Sequence, residues 1–418
     1  MKVPKNVTIL GAGIVGLSTA RFLQRAGIRV TLIDRVDPGN GCSFGNLAMI
    51  CSIENALPIP SLQVLKSVPR MLFERDGSLV IRPQYLPKLL PWLSRFVHNS
   101  LPGRRYKHAT ALSSLLKESL SAYVDLLGQS DVQAYLKENG SLTVFETTSG
   151  FEANGKDRAL LRTLGARYDE LNQHELMELE PALAPIFSRA VYYHGCAQVV
   201  SPLGLCQALA TQIREAGGAI VKNEVHHAEV KADGHISLFA DDSEFECEAL
   251  VVAAGAWSAE AAKWFDISVP LETERGYHTT MSRLDIGLNR PITHGETNIG
   301  MVQLKEGLRF GGTVELAGLD APPDYIRGRN IHRMTRRMIQ DLPSDDRLEI
   351  SDWMGCRPTL PDYLPVIGPC PNHSNLWFAF GHQHVGLSLA ACTGKLISSL
   401  ILDSQSKIDL TPYRIDRF

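Results

Sequence analysis

A chain of 418 residues, 44% hydrophobic and 21% charged, is long enough for two lobes around one ligand and has an ordinary globular composition. A formal net charge of −3 argues against a nucleic-acid surface, and the sequence holds no unbroken apolar run of roughly eighteen residues to span a membrane. The eight cysteines form no C-x-x-C pair and do not cluster with histidines at ligand spacing, so reduced, structural thiols and no metal site are expected.

Met1 to Asn6 lacks a signal peptide's apolar core, and a cytoplasmic protein is therefore expected. From Val7 a β-branched run meets Gly11, Gly13 and Gly16 in a G-x-G-x-x-G spacing, followed by an apolar helical segment through Ala26. Strand, tight turn and helix in that order bind a dinucleotide. Gly11 permits the turn, Gly13 clears space for a pyrophosphate, and Gly16 lets helix and strand approach. Ile14 and Val15 open the helix, whose free N–H groups and dipole face the phosphates. Gly27 ends it, and a second strand, Arg29 to Ile33, delivers Asp34 at the distance a ribose hydroxyl requires, with Arg35 beside it.

Cys42 to Met49, small and hydroxyl-rich, either passes close to the cofactor or is a surface loop. Residues 56–107 are punctuated by Pro58, Pro60, Pro69, Pro83, Pro87, Pro91 and Pro102. Within them, residues 85–96 are apolar with flanking bases, a pattern that rests on a membrane surface or partner, or packs on its own protein. Helical pattern is expected over 108–138 and 155–185, with strands at 141–146 and 190–199 between and after. Ser201-Pro202 caps a helix to about Ala216. Strands continue from Ala219 through Val225 to Cys247. Ala249 to Trp257 reads as a buried parallel strand ending in a small-residue turn that includes Ala254 and Gly255. Hairpins are expected over 271–316, a helix over 324–342, and a last strand, turn and helix from Asn375 to Leu402. The nucleotide lobe thus comprises 1–57, 200–270 and 352–418, and the lobe roofing the reacting ring comprises 58–199 and 271–351. The turn Gly381 to Gly386 directs the closing helix, with Leu387 in its first turn, at something electron-rich, as a reduced isoalloxazine is; this favours FAD over NAD.

Four segments carry a family resemblance: Gly11 to Gly16 with Asp34; Cys42-Ser43-Phe44-Gly45-Asn46-Leu47-Ala48; Trp353 to Gly368 in the pattern W-x-G-x-R-P-x-x-P-D-x-x-P-x-I-G; and Gly381-His382 with Val385-Gly386. From residue 7 to about 402 the chain resembles the FAD-dependent D-amino acid oxidase superfamily, and within it the bacterial D-amino acid dehydrogenase group. The resemblance implies an α/β fold in which a Rossmann-like FAD-binding domain is interleaved with an antiparallel-sheet substrate domain of the D-amino acid oxidase type. It implies non-covalent FAD, although in sarcosine-oxidase-like members a cysteine at the position of Cys356 is linked to the flavin. It also implies an Arg357 that grips the substrate carboxylate, and backbone contact from Val225 to the adenine.

Ser43, Asn46, Leu47, Ala48, Ala254, Gly255, Trp257, Gly381, His382, Val385, Gly386 and Leu387 complete the expected cofactor wall. Tyr277, His278, His382 and His384 are expected around the substrate, with Arg357 the main anchor because a guanidinium fork fixes both place and direction of a carboxylate. Cys42 and Ala48 depart from the group's threonine and glycine, and Gln383-His384 from a smaller pair. The expected reaction is oxidation of a D-amino acid, cyclic D-proline types included, to the imino and then 2-oxo acid. Electrons pass to a quinone or carrier, with peripheral contact to the inner face of the plasma membrane. The rival readings are a flavoprotein subunit of a hetero-oligomeric hydroxyproline or opine dehydrogenase, a redox-inert FAD-binding protein, and a secondary-amine oxidase of the sarcosine type, which Arg357-Pro358 argues against.

Overall fold

The computed structural model describes residues 3–57, 79–128 and 134–418. The first part of the proline-punctuated stretch, residues 58–78, lies outside the described residues, as do 129–133 of the helical stretch expected to 138.

The run Asn6–Leu10 is buried from Val7 onward, as a strand covered on both faces must be. It pairs in parallel with Arg29–Asp34 on one side and Leu250–Val252 on the other. Ala219–Lys222 extends the first edge, Leu376–Phe380 the second, and Val366–Pro369 closes the sheet antiparallel. The helices Ile14–Arg25 and Gly386–Ile401 pack together on one face of this sheet within a single apolar core. Their contact is close because Gly394 has no side chain: a Cβ there would lie 2.7 Å from the Ser18–Thr19 backbone. By length and composition Gln383–Ile401 could cross a membrane, but most of it is buried inside the protein. Val225–Val230, Ile236–Ala240 and Ser243–Cys247 form a small antiparallel meander beside the sheet. Ser201 caps Pro202–Glu215 as expected, its Oγ accepting the Gly204 amide at 3.0 Å.

Opposite lies a ten-stranded mixed sheet among the described residues. Its spine is Glu272–Ser282, paired antiparallel along its whole length with Glu349–Thr359 and on its other edge with Gly307–Gly311 and Val314–Leu316. Glu349–Thr359 therefore belongs to the roof, and the boundary expected at 352 falls within a roof strand. A second departure is Tyr168–Asn172, expected helical and found as a strand on the sheet's edge, where it pairs with Arg189–Tyr193. The run expected as one strand over 190–199 is two, Arg189–Tyr193 and Ala197–Val199, which serve different sheets.

Candidate functional site

Between the two sheets runs a cavity of about 1560 Å³. At one end Asp34, at the tip of its strand, accepts the Ala12 amide at 2.7 Å through Oδ2 and the Val36 amide at 3.1 Å through Oδ1, bracing the glycine turn. The Arg35 guanidinium lies 3.7 Å over the Trp257 ring and 3.4 Å from the Glu224 carboxylate. Val225, Ala254, Gly255 and Trp257 line the cavity as well.

Midway, Gly13, Ile14 and Val15 bring the first turn of the helix to the cavity wall, and the Ile14 amide donates to Ser43 Oγ at 2.9 Å. A side chain at Gly13 would reach 3.3 Å from that same Oγ, so the missing Cβ leaves room for a phosphate over the helix terminus. Gly16 does not line the cavity; its Cβ would lie 2.0 Å from the Gly11 carbonyl, and it serves helix–turn packing. The segment after the second strand does run along the cavity: Cys42, Ser43, Gly45, Asn46 and Leu47 line it. Ala48 does not. It is buried at φ 56°, and its amide donates to Asn46 Oδ1 at 2.7 Å. That left-handed backbone accounts for the glycine the resembling group carries here, and alanine bears a cost of about 1–2 kcal/mol for it.

Arg309 holds this segment from the roof. Fully buried, it donates to the Phe44 carbonyl at 2.7 Å and the Asn46 carbonyl at 3.0 Å, and burial lowers its pKa to about 10. His278 Nδ1 donates to the Gly45 carbonyl at 3.1 Å, and its ring stacks on Trp353 with centroids 4.9 Å apart. Burial, with the Arg309 charge second, pushes its imidazole down to about 3. Trp353 is clamped between two glycines: a Cβ on Gly45 would lie 1.9 Å from its ring and one on Gly355 2.0 Å. Here is the physical content of the W-x-G part of the motif.

At the far end stands Arg357, half-exposed to the cavity. Its guanidinium folds over Gly276, where a Cβ would sit 2.3 Å from Cζ, and it donates to the Thr313 carbonyl at 3.1 Å. Glu274 faces Arg357 in register and accepts the Tyr363 hydroxyl. Burial pushes the Glu274 carboxyl up, and that hydrogen bond and the Arg357 charge oppose the shift.

The expected substrate residues divide. Arg357 and His384 face the cavity, where His384 is exposed; the protein crowded around it, then the Arg357 charge, lowers the His384 imidazole pKa. Tyr277 also borders it, but its hydroxyl donates to Glu315 at 2.7 Å and accepts the Asp324 amide at 3.0 Å, and burial pushes it up to about 12. His382 also borders the cavity, but its buried ring hydrogen-bonds Thr393 at 2.9 Å, and burial holds it at about 3. Gly386 and Leu387 line the cavity at the start of the closing helix, whereas Gly381 and Val385 stand behind it. Gly381 (φ 81°) and Gln383 (φ 43°) shape the turn, and the Gln383 side chain donates to the Tyr363 carbonyl at 2.7 Å. Cys356 borders the cavity, its carbonyl accepting the Cys42 thiol at 2.8 Å and burial pushing its own thiol up.

Glu274, Tyr363, Trp353 and Arg309 were not among the expected site residues. Trp353 and Tyr363 flank Arg357 in the motif and could have been taken from it; Glu274 and Arg309 join the site only through strand register.

A family model described as FAD dependent oxidoreductase matches residues 6–400. The chain is 34% identical over 418 residues to a D-amino-acid oxidase of Bradyrhizobium diazoefficiens, covering 99% of each. It is 28% identical over 420 residues to a D-amino acid dehydrogenase of Vibrio vulnificus, again over 99% of each. Among solved structures it superimposes on glycine oxidase from Geobacillus kaustophilus with a TM-score of 0.74 at 20% identity, covering 99% of this chain and 100% of that one. L-proline dehydrogenase from P. horikoshii gives 0.71 at 17% identity, covering 100% and 98%.

Proposed function

Since the chain belongs to the FAD-dependent oxidoreductase family that these matches define, we propose that it oxidises a D-amino acid at Cα to the imino acid, which water converts to the 2-oxo acid and ammonia. FAD, when bound along the cavity, supplies the hydride acceptor. Gly13, Ile14 and Ser43 would hold its pyrophosphate, Asp34 a ribose hydroxyl, and Trp257 with Arg35 the adenine. Gly386 and Leu387 would meet the pyrimidine side of the isoalloxazine with a helix N-terminus.

The observation that carries the reading is Arg357: a cation at the far end of a nucleotide cavity, free of any carboxylate ion pair among the described residues. An α-carboxylate there gains two parallel charge-assisted hydrogen bonds and is held in one orientation. The expected experiment is an anaerobic titration of the purified holoenzyme with D-alanine, D-proline, cis-4-hydroxy-D-proline and their L-enantiomers. Bleaching of the oxidised-flavin band by D-forms supports the reading; a band that dithionite bleaches and no amino acid does overturns it.

The electrons are proposed to pass to a quinone or membrane carrier, with the chain resting on the inner face of the membrane. What supports this is the outer surface of Leu86–Asn99 and Pro102–Leu116. Leu90, Val97, Leu101 and Tyr106 are exposed on these helices and their junction, as are Lys88, Arg95, Arg104 and Lys107. No Asp or Glu occurs between residues 77 and 117, in a chain whose net charge is −3.

A further inference from the structure

We propose that Glu274 and Arg357 together form a receptor for the zwitterionic head of the substrate, Arg357 taking the α-carboxylate and Glu274 the α-ammonium. This rests on the amino-acid reading above and adds the second half of the recognition.

The two residues are register partners on adjacent antiparallel strands, so their side chains leave the same face of the roof sheet from Cβ atoms about 4.5–5.5 Å apart. Opposite charges so placed ordinarily pair. Here they do not: no ion pair joins them among the described residues, and each is drawn aside by another contact. Arg357 lies over Gly276, two residues along the strand, and is tied to the Thr313 carbonyl. The Glu274 carboxyl is tied to the Tyr363 hydroxyl. Both residues border the cavity, Glu274 with only 5% of its surface exposed. An acid and a cation held apart on one wall present a dipole antiparallel to that of an amino acid, whose ammonium and carboxylate are separated by a single carbon.

The surroundings favour this use of the acid. Facing Glu274 are Arg357, Tyr363 and the Thr359 hydroxyl, with His384 beyond Tyr363 at a ring separation of 6.3 Å; Glu272 is two residues away on its own strand, accepting the Tyr85 hydroxyl at 2.8 Å. No cation other than Arg357 is among the groups acting on the Glu274 carboxyl. A substrate ammonium would give this buried acid a counter-charge in contact, beyond the Arg357 charge held aside, while a 2-hydroxy acid of the same shape would not. The pocket is therefore selective for amino acids over hydroxy acids at the ammonium.

Titration calorimetry on dithionite-reduced holoenzyme, in which no turnover occurs, compares D-alanine with D-lactate. The wild type is expected to bind D-alanine at least tenfold more tightly. Glu274→Gln, which keeps the side-chain volume and an acceptor for Tyr363, is expected to lose at least tenfold for D-alanine and less than threefold for D-lactate. Equal losses for both ligands, or no loss for either, overturn the proposal, as does a wild type that prefers D-alanine by less than threefold. That last comparison needs no variant, so it decides the matter even if the substituted chain fails to load FAD. A failure of the proposed activity is read separately, as the absence of flavin bleaching by any D-amino acid in the oxidised enzyme.

Discussion

Arg357 owes its availability to Gly276. Any side chain at 276 would occupy the space the guanidinium now fills, and the arginine would be displaced from the cavity wall. Losing a charge-assisted pair of hydrogen bonds costs about 1.5–3 kcal/mol. Arg357→Ala is therefore expected to raise the apparent Kd in anaerobic flavin-reduction titrations by about 10- to 100-fold, with flavin loading unchanged and Arg357→Lys recovering part of the loss. The buried imidazoles make a second prediction. His382 is held neutral at about 3, well below the ordinary 6.5 of an unfolded chain. Between those values the unfolded state binds a proton that the folded state does not, so this contribution is complete above pH 6.5 and declines as pH falls. The slope is about 1.4 kcal/mol per pH unit per imidazole. Thermal unfolding midpoints of the wild type should drop between pH 7 and pH 5, and His382→Asn should flatten that slope; an unchanged slope would falsify the assignment. Arg357 was legible in the sequence because its motif surrounds it locally. Glu274 was not, because it meets Arg357 only through a pairing of strands some eighty residues apart, and no spacing rule encodes that register.

At the level of elements, Trp353 shows how a strand shapes a cofactor wall. Gly355 on its own strand and Gly45 on the passing segment leave the flat space the indole fills, and His278 completes the stack from the neighbouring strand. Gly355→Ala or Gly45→Ala would put a methyl about 2 Å from the ring, forcing the indole and the 42–48 segment apart. Substoichiometric flavin after purification, and a lower unfolding midpoint that excess FAD partly restores, are the expected outcomes; full flavin content in both variants would show the clamp to be dispensable. The glycine turn, its helix and the closing helix were readable because their signals are local: apolar periodicity, caps, and glycines at fixed offsets. Tyr168–Asn172 misled because its polar, charged composition suits an exposed helix as well as an edge strand, and only its pairing with Arg189–Tyr193 decides between them. Glu349–Thr359 misled in a different way. It is followed directly by nucleotide-lobe elements in the chain, yet its hydrogen bonds go to the roof.

For the whole molecule, charge and apolar surface are unevenly distributed. The acid-free stretch 77–117 carries exposed Lys88, Arg95, Arg104 and Lys107 and exposed Leu90, Val97, Leu101 and Tyr106 in a chain that is acidic overall. Vesicles containing anionic lipid should sediment the wild type at low salt and release it as salt rises, while neutral vesicles should not. Replacing Lys88, Arg95, Arg104 and Lys107 together by Gln should abolish sedimentation without altering flavin reduction, since none of the four borders the cavity. Retention by neutral vesicles, or by the quadruple variant, would remove the electrostatic basis of the membrane reading.

The order of strands in the parallel sheet also sets a timetable. Asn6–Leu10 precedes one of its two neighbours, Leu250–Val252, by about 240 residues, and that strand in turn waits for Leu376–Phe380. At about 5–20 residues per second the first strand stands without that neighbour for roughly 12–50 s, its apolar edge open to whatever it meets. The helix Gly386–Ile401, which packs on this sheet and lines the cavity with its first residues, is made later still. Until those later strands are made the parallel sheet is incomplete, and a nascent chain at that stage is a natural client for chaperones that shield exposed strands.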